Sequence, residues 1–230
     1  MGPVLVEELG EPPEPADACA RFLDAPFPLL LESALRSERL GRYSFLAADP
    51  WEVLRCGAGD AFPALERALA LHRGEPRPDL PPFQGGAAGF LSYDLCHALE
   101  RLPSPRYDDL ALPDLCVGLY DWTLAWDHLE DRCWLISTGL PEEGRRRAER
   151  ARDRADWVRR RLHGGMPPLP PPSVPGPPPG PPTHPVGELP GVWSTFSRDG
   201  FVSAVARTRE YILAGDIFQA NLSQRLEALA

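Results

Sequence analysis

The chain has 230 residues, of which 43% are hydrophobic and 25% are charged, enough for one large domain or two small ones. Its 33 acidic residues outnumber its 24 basic ones, and the net charge of −9 argues against a general nucleic-acid or anionic-membrane binder. Every basic residue is arginine, which excludes a Schiff-base lysine, a lysine nucleophile and a phosphate-loop lysine from this polypeptide.

The cysteine pattern and the first residues indicate a reducing compartment. The five cysteines are scattered without a C-x-x-C pair, which signals neither a disulfide framework nor a zinc site. The opening residues, MGPVLVEELGEPPEP, have neither the basic nor the apolar region of a secretory signal. The longest apolar run, Pro26–Leu31, is too short to span a bilayer. The sequence therefore predicts a cytoplasmic protein that does not associate with membranes.

The first two predicted strands carry the best candidate for a binding site. The apolar segment LLLESA ends in Glu32 and Ser33, and LGRYSFLAADP then places Arg42 and Tyr43 at the start of a second strand. A hydroxyl, a guanidinium fork and an aromatic ring suit a small amino acid, because the fork binds a carboxylate and the ring a flat side chain. The alternative is that Glu32 and Arg42 only pair with each other across the two strands.

Three further elements follow. A helix is predicted over Asp60–His72, with an apolar face formed by Phe62, Leu65 and Leu69. The Gly85–Gly86 pair opens a strand predicted over Ala87–Tyr93, and a short helix is predicted over Asp94–Arg101, before Pro103. The GGAAG run lacks the lysine of a phosphate-binding loop, so we interpret its glycines as allowing a close backbone approach.

A hairpin and an arginine-rich helix are predicted next. The segments Leu115–Trp126 and Arg132–Ser137 are rich in β-branched and aromatic residues, and the polar run Asp127–Asp131 joins them. Glu142–His163 has its apolar residues at helical spacing, namely Ala148, Ala151, Ala155, Val158 and Leu162. We interpret it as a solvated helix that packs one stripe against the body; the alternative is a basic helix for an anionic partner.

Composition divides the chain into three parts. Met166–Pro190 is so rich in proline that it predicts an extended linker, the alternative being a ligand for proline-binding modules. Beyond it, Ser197 is placed to cap a helix that ends at Gly215, and a strand with Phe218, Ala220, Leu222 and Leu226 on one face follows. One helix and one strand bury too little surface to stand alone. We therefore predict a first domain (1–165), a linker (166–190), and the incomplete start of a second domain (191–230) in a truncated chain.

Four segments, in this order along the chain, carry a resemblance to a known enzyme family. They are LLLESA with GRYSFLAADP, PFQGGAAGFLSYDLCHALERLP, LPDLCVGLYDWTLAWDH and GDIFQANLSQRL. Through them the chain resembles the chorismate-utilising enzymes anthranilate synthase component I and aminodeoxychorismate synthase component I. The run FQGGAAGFLSYDL, the LPDLCVGLYDW segment and the Asn of QANLSQR resemble the aminodeoxychorismate branch more than the anthranilate branch.

The resemblance implies an α+β fold, with antiparallel β-sheets packed face to face and helices outside. It implies that the whole protein aminates chorismate at C4 with Mg²⁺ in the site, using ammonia from a separate glutamine amidotransferase subunit, toward 4-aminobenzoate and folate. In this family the serine of the LLES-type motif and the segment before the GRYSF-type strand line a tryptophan pocket. The residues implied here are Ser33, Leu40, Gly41, Arg42 and Tyr43.

The same resemblance places the catalytic residues and the Mg²⁺-binding glutamates beyond the last residue of this chain. We therefore expect no catalytic residue and no metal ligand here, and we expect the fragment alone to be inactive. Anthranilate synthase component I is the nearest enzymatic alternative. A free-standing, non-catalytic tryptophan-binding module is the alternative from a different class, although a strand that ends near Ala230 would leave its far edge unpaired.

Overall fold

The computed structural model describes residues 4–35, 40–72, 74, 76–103, 108, 111–168, 184–187 and 189–228. These residues form two compact units, the first drawn from 1–103 and 112–171 and the second from 104–111 and 172–230. Most of the predicted proline-rich linker, residues 169–183, lies outside the described residues.

In the described part of the first unit there are eight strands and three α-helices. In chain order they are β1 (Leu5–Leu9), α1 (Pro15–Ala20), β2 (Leu29–Leu31), β3 (Tyr43–Ala47), β4 (Glu52–Cys56), α2 (Ala58–Leu71), β5 (Gly86–Leu91), β6 (Leu115–Tyr120), β7 (Trp122–Asp127), β8 (Arg132–Ser137) and α3 (Gly144–His163). A five-stranded sheet has the order β1-β8-β7-β3-β2, and a three-stranded sheet has the order β4-β6-β5. All of these pairings are antiparallel, which gives the α+β class expected.

The five-stranded sheet is buried on both faces. Along β7, Trp122, Leu124 and Trp126 face the cluster that contains Phe22 and the α3 residue Val158. Ala125 points to the opposite face, where it packs with residues such as Trp134 and Ile136 of β8. The period of two along a strand therefore divides β7 between two apolar layers. The indole Nε1 of Trp122 donates to the carbonyl of Ala48 at 2.8 Å, so its buried polar atom is satisfied.

The predicted hairpin is confirmed over β7 and β8, but the prediction of one continuous strand over Leu115–Trp126 is wrong. Asp121 interrupts it, so that β6 lies in the three-stranded sheet and β7 in the five-stranded sheet. The Asp121 side chain is fully buried and accepts hydrogen bonds from Arg150 at 2.7 Å and from Arg154 at 3.1 Å. A buried carboxylate needs such partners, and the chain bends where α3 supplies them.

Helix α2 packs against the three-stranded sheet with Leu65 of the expected apolar face, but Phe62 and Leu69 of that face are largely exposed. Ala61 and Ala68 are buried, whereas Phe62 and Leu69 are 40% and 48% exposed. Ala61 and Leu65 contact the cluster that contains Leu115. Apolar spacing pointed to the larger side chains, whereas the buried positions of the helix are two alanines. The short helix expected over Asp94–Arg101 is a 3-10 helix over Tyr93–Ala98.

The expected stripe on α3 is confirmed, since Ala151, Ala155 and Val158 are buried. The arginines beside it pair with carboxylates of the same unit. In addition to the Asp121 contacts, Arg159 donates to Glu7 at 2.6 Å, and Arg161 pairs with Asp24. These pairs favour the interpretation of α3 as a helix packed on the body over that of a helix held for an anionic partner.

The second unit contains α4 (Arg198–Ala214) and a three-stranded sheet of β9 (His184–Pro185), β10 (Val192–Ser194) and β11 (Leu226–Ala228). The helix ends are confirmed: Ser197 Oγ accepts from Gly200 N–H at 3.1 Å, and Gly215 has φ +81°. The strand expected from Phe218 onward begins only at Leu226. No other strand pairs with residues 218–225 in the described part of the chain, and Phe218 is 94% exposed.

Candidate functional site

The candidate site lies where β2 and β3 separate. The backbone pairing of β2 with β3 ends where Leu31 lies opposite Phe45. Beyond this pair, hydrogen bonds made by serine side chains connect the two segments. The Ser33 N–H donates to Ser44 Oγ at 3.0 Å, and Ser33 Oγ donates to the carbonyl of Tyr43 at 2.6 Å. The Ser33 side chain is thus fixed at the open end of the two strands, and its remaining oxygen lone pairs are available to a donor.

A turn that only glycine fits leads into β3. Gly41 has φ +77°, and a Cβ at this position would lie 1.8 Å from the carbonyl oxygen of Leu35. Leu40, beside it, is 69% exposed. Residues 36–39, between the two predicted halves of the pocket, lie outside the described residues. Gly41 therefore shapes the backbone entering β3, while Leu40 lies at the surface.

The fork of Arg42 faces carboxylates of the turn after β7. Its Nε donates to Asp127 Oδ1 and Oδ2 at 3.0 and 2.9 Å, and a terminal nitrogen donates to Asp127 Oδ2 at 2.5 Å. The same nitrogen donates to Glu130 at 3.2 Å. These partners differ from Glu32, the partner that the pairing alternative anticipated. With its fork directed at Asp127, Arg42 orients the turn rather than opening toward a ligand carboxylate.

Asp127 is buried and charged. Burial by itself raises the pKa of a carboxyl group. Hydrogen bonds from Arg42 and from the backbone N–H groups of Leu129 and Glu130 outweigh burial and hold the pKa of Asp127 below its ordinary value. One carboxylate therefore fixes both the arginine at the start of β3 and the backbone of the turn.

Aromatic rings extend from Tyr43 along β3. The Arg42 guanidinium lies 5.0 Å from the centre of the Tyr43 ring, and the Tyr43 and Phe45 ring centres are 6.2 Å apart. Phe45 in turn meets Phe83 edge to face at 5.7 Å. Phe45 also packs against the cluster that contains Ala125, so Tyr43 is the ring of this row that lies nearest the start of β3.

Two residues of the site were missed by sequence reasoning. Ser44, the second residue of β3, is fully buried. Its Oγ lies 2.7 Å from Nε2 of His128. His128 follows β7 and is 84 residues away from Ser44 along the chain. The only available signal was the position of this histidine in the hairpin loop, which by itself indicates a solvated side chain.

The structure thus brings Ser33, Arg42 and Tyr43 together, with Gly41 shaping the turn and Leu40 at the surface. The arrangement presents the Ser33 hydroxyl as an acceptor, and its one described hydroxyl–imidazole pair, Ser44 with His128, has its hydroxyl fully buried. Cavities of about 590 and 470 Å³ in the same unit are lined by other residues. Within the described residues no group of three His, Cys, Asp or Glu side chains is placed to hold a metal ion. No described helix is both long and apolar enough to cross a membrane.

Comparison with known families matches residues 30–230 to the family described as chorismate binding enzyme. Anthranilate synthase component 1 of Thermus thermophilus is 37% identical over 221 residues, which cover 89% of this chain and 42% of that protein. Aminodeoxychorismate synthase component 1 of Bacillus subtilis is 30% identical over 212 residues, covering 86% of this chain and 41% of that protein. The chain therefore spans less than half the length of these relatives.

Among solved structures, anthranilate synthase component I from Streptococcus pneumoniae TIGR4 matches with a TM-score of 0.56 and 22% sequence identity. The match covers 85% of this chain and 45% of that one. At this identity the likeness is one of fold, and it confirms the α+β class with antiparallel sheets.

Proposed function

The chain belongs to the chorismate binding enzyme family, and on that premise we propose that it is the N-terminal part of a component I synthase that aminates chorismate. The observation that carries the proposal is the family match over residues 30–230, which includes both the β2–β3 site and α4. The relatives named above supply the class of reaction, because their names are those of anthranilate and aminodeoxychorismate synthases. Catalysis and the Mg²⁺ that supports it belong to the part of the protein beyond this chain.

For the reaction itself, we propose amination of chorismate to 4-amino-4-deoxychorismate. The FQGGAAGFLSYDL run and Asn221 in QANLSQR support this branch by resemblance. Relatives named aminodeoxychorismate synthase component 1 from Bacillus subtilis and Salmonella typhimurium are each 30% identical to the chain. Ammonia would come from a separate glutamine amidotransferase subunit, which is the partner we propose.

Anthranilate synthase is the second candidate. The specific observation in its favour is the 37% identity to the Thermus thermophilus enzyme, above the 30% identity to the two aminodeoxychorismate synthases. The two candidates differ in the carbon of chorismate that receives nitrogen, and both are consistent with the family match.

We propose that the β2–β3 site binds tryptophan. Ser33 Oγ donates to the carbonyl of Tyr43 and can still accept an N–H of the ligand's amino group. The Tyr43 ring, next to the carbonyl that Ser33 binds, is the contact that we propose for the indole ring. Arg42 contributes through its pairing with Asp127, which holds the start of β3 in place.

Product analysis of the full-length protein tests the reaction. The protein is incubated with chorismate, ammonium and Mg²⁺, and the aminated products are separated by liquid chromatography and identified by mass and fluorescence. The proposal expects 4-amino-4-deoxychorismate. Accumulation of anthranilate instead would establish the second candidate, and unchanged chorismate would reject both.

The Ser33→Ala variant of the full-length protein tests the amino-acid site. Removing the hydroxyl removes the proposed acceptor, so tryptophan affinity should fall about tenfold. The exposed Ser203→Ala on α4 is the control. Loss of strong tryptophan inhibition together with affinity would point to the anthranilate branch, whereas unchanged affinity in Ser33→Ala would leave the site a structural one.

A further inference from the structure

A chain of hydrogen bonds connects the turn after β7 to the open end of the β2–β3 pair. His128 Nε2 lies 2.7 Å from Ser44 Oγ, and Ser44 Oγ accepts the Ser33 N–H at 3.0 Å. Ser33 Oγ then donates to the carbonyl of Tyr43 at 2.6 Å. The imidazole is therefore linked through one buried hydroxyl to the serine that we place in the amino-acid site.

Ser44 is fully buried, so the hydrogen-bonding groups of its hydroxyl must find partners inside the protein. A buried hydroxyl without partners costs free energy, and the Ser44 oxygen already accepts the Ser33 N–H. One hydrogen bond joins Ser44 Oγ and His128 Nε2. The tautomer of the imidazole decides whether the hydroxyl or the ring nitrogen is the donor. In either case the His128 contact fixes the rotamer of Ser44, and with it the acceptor for the Ser33 backbone.

His128 is itself held by its neighbours in the turn. Its backbone N–H donates to the carbonyl of Arg42 at 2.8 Å. Asp127, the preceding residue, binds the Arg42 side chain and caps the N–H groups of Leu129 and Glu130. The two consecutive residues Asp127 and His128 thus hold two positions of the candidate site, one through Arg42 and the other through Ser44.

We infer that His128 is a positioning residue for the amino-acid site: it acts through Ser44 on the orientation of Ser33 and does not contact the ligand. This inference rests on the proposed function of the site as one that binds tryptophan. It predicts that tryptophan affinity depends on a hydrogen-bonding group at the position of Nε2, since any side chain that supplies one keeps Ser44 and Ser33 in place.

Isothermal titration of the full-length protein with tryptophan tests the inference. His128→Ala should raise the dissociation constant about tenfold, the cost of one lost hydrogen bond. His128→Gln should stay within about threefold of the wild type, because its terminal amide can take the place of Nε2. The control is His97→Ala, in the 3-10 helix of the same unit, and thermal unfolding establishes that each variant is folded.

The double variant Ser44→Ala with His128→Ala separates a relay from two independent effects. If the imidazole acts through Ser44, the double variant binds tryptophan about as weakly as Ser44→Ala alone. Additive losses would overturn the inference, as would an unchanged affinity in His128→Ala or an equal loss in His128→Gln. Should His128→Ala not fold, Ser44→Ala and His128→Gln still decide the question. A wild-type protein that does not bind tryptophan would instead reject the proposed function of the site.

Discussion

Asp127 determines how the arginine of the candidate site is held. The carboxylate is buried, yet its pKa lies below the ordinary value because Arg42 and two backbone N–H groups stabilise the charge against the cost of burial. Arg42 consequently acts on the site through the turn after β7. The sequence suggested that Arg42 binds the carboxylate of a ligand. In the structure Arg42 binds the carboxylate of Asp127 instead.

Replacing Asp127 with Asn should lower the free energy of unfolding at pH 7 by about 1–3 kcal/mol, because the charge-assisted hydrogen bonds to Arg42 are lost. Since the folded-state pKa is depressed, this stabilisation is present above the ordinary pKa of about 4 and is lost as pH falls through the folded value. The measurement is urea unfolding of wild type and variant from pH 7 to pH 3.

The control for that series is Asp131→Asn, an exposed carboxylate in the same turn. It should change stability by no more than about 0.5 kcal/mol. A difference between wild type and Asp127→Asn that stays constant down to pH 3 would contradict the assignment of a depressed pKa.

Cys133 should be inert toward thiol reagents in the folded protein. It is fully buried on β8, and burial raises its pKa to about 12, so at pH 8 only about one thiol in ten thousand is ionised. Alkylation with iodoacetamide, followed by peptide mass spectrometry, should label the partly exposed Cys96 first. Cys133 should react only after denaturation, and equal labelling of the two in the native protein would contradict its burial.

At the scale of elements, α3 is fixed to the sheets by the buried carboxylate of Asp121. Asp121→Asn removes the charge that Arg150 and Arg154 share, although Arg154 keeps Asp49, and should cost about 1.5–3 kcal/mol of unfolding free energy. Glu149→Gln is the matched control, because Glu149 pairs with the exposed Arg145 on the same helix and should cost less than about 0.5 kcal/mol. Equal effects of the two variants in urea unfolding would refute the role of Asp121.

Periodicity predicted the elements whose packing follows from one apolar stripe. The buried residues of α3, the β7–β8 hairpin and the Ser197 cap all follow from local spacing or local chemistry. Local sequence patterns did not predict the features that involve residues far away in the chain. Asp121, where the predicted strand divides, pairs with arginines about 30 residues further along, and α2 buries Ala61 and Ala68 rather than Phe62 and Leu69.

At the scale of the whole molecule, short sequence motifs were enough to identify the family. They also identified three of the residues that lie together in the candidate site. Ser33, Arg42 and Tyr43 belong to short segments that a sequence displays directly. The residues that hold them, Asp127 and His128, come from a turn more than 80 positions away, and only the pairing of β3 with β7 brings it near. Such long-range support has no local signature.

For the whole molecule, the proposed function predicts an enzyme that aminates chorismate, and we expect the 230-residue chain alone to be inactive. The most direct test is chorismate consumption, measured side by side for the full-length protein and for the 230-residue chain, each with ammonium and Mg²⁺. We expect the full-length protein to consume chorismate and the 230-residue chain to match a buffer control. Sustained consumption by the short chain, or none by the full-length protein, would contradict this prediction.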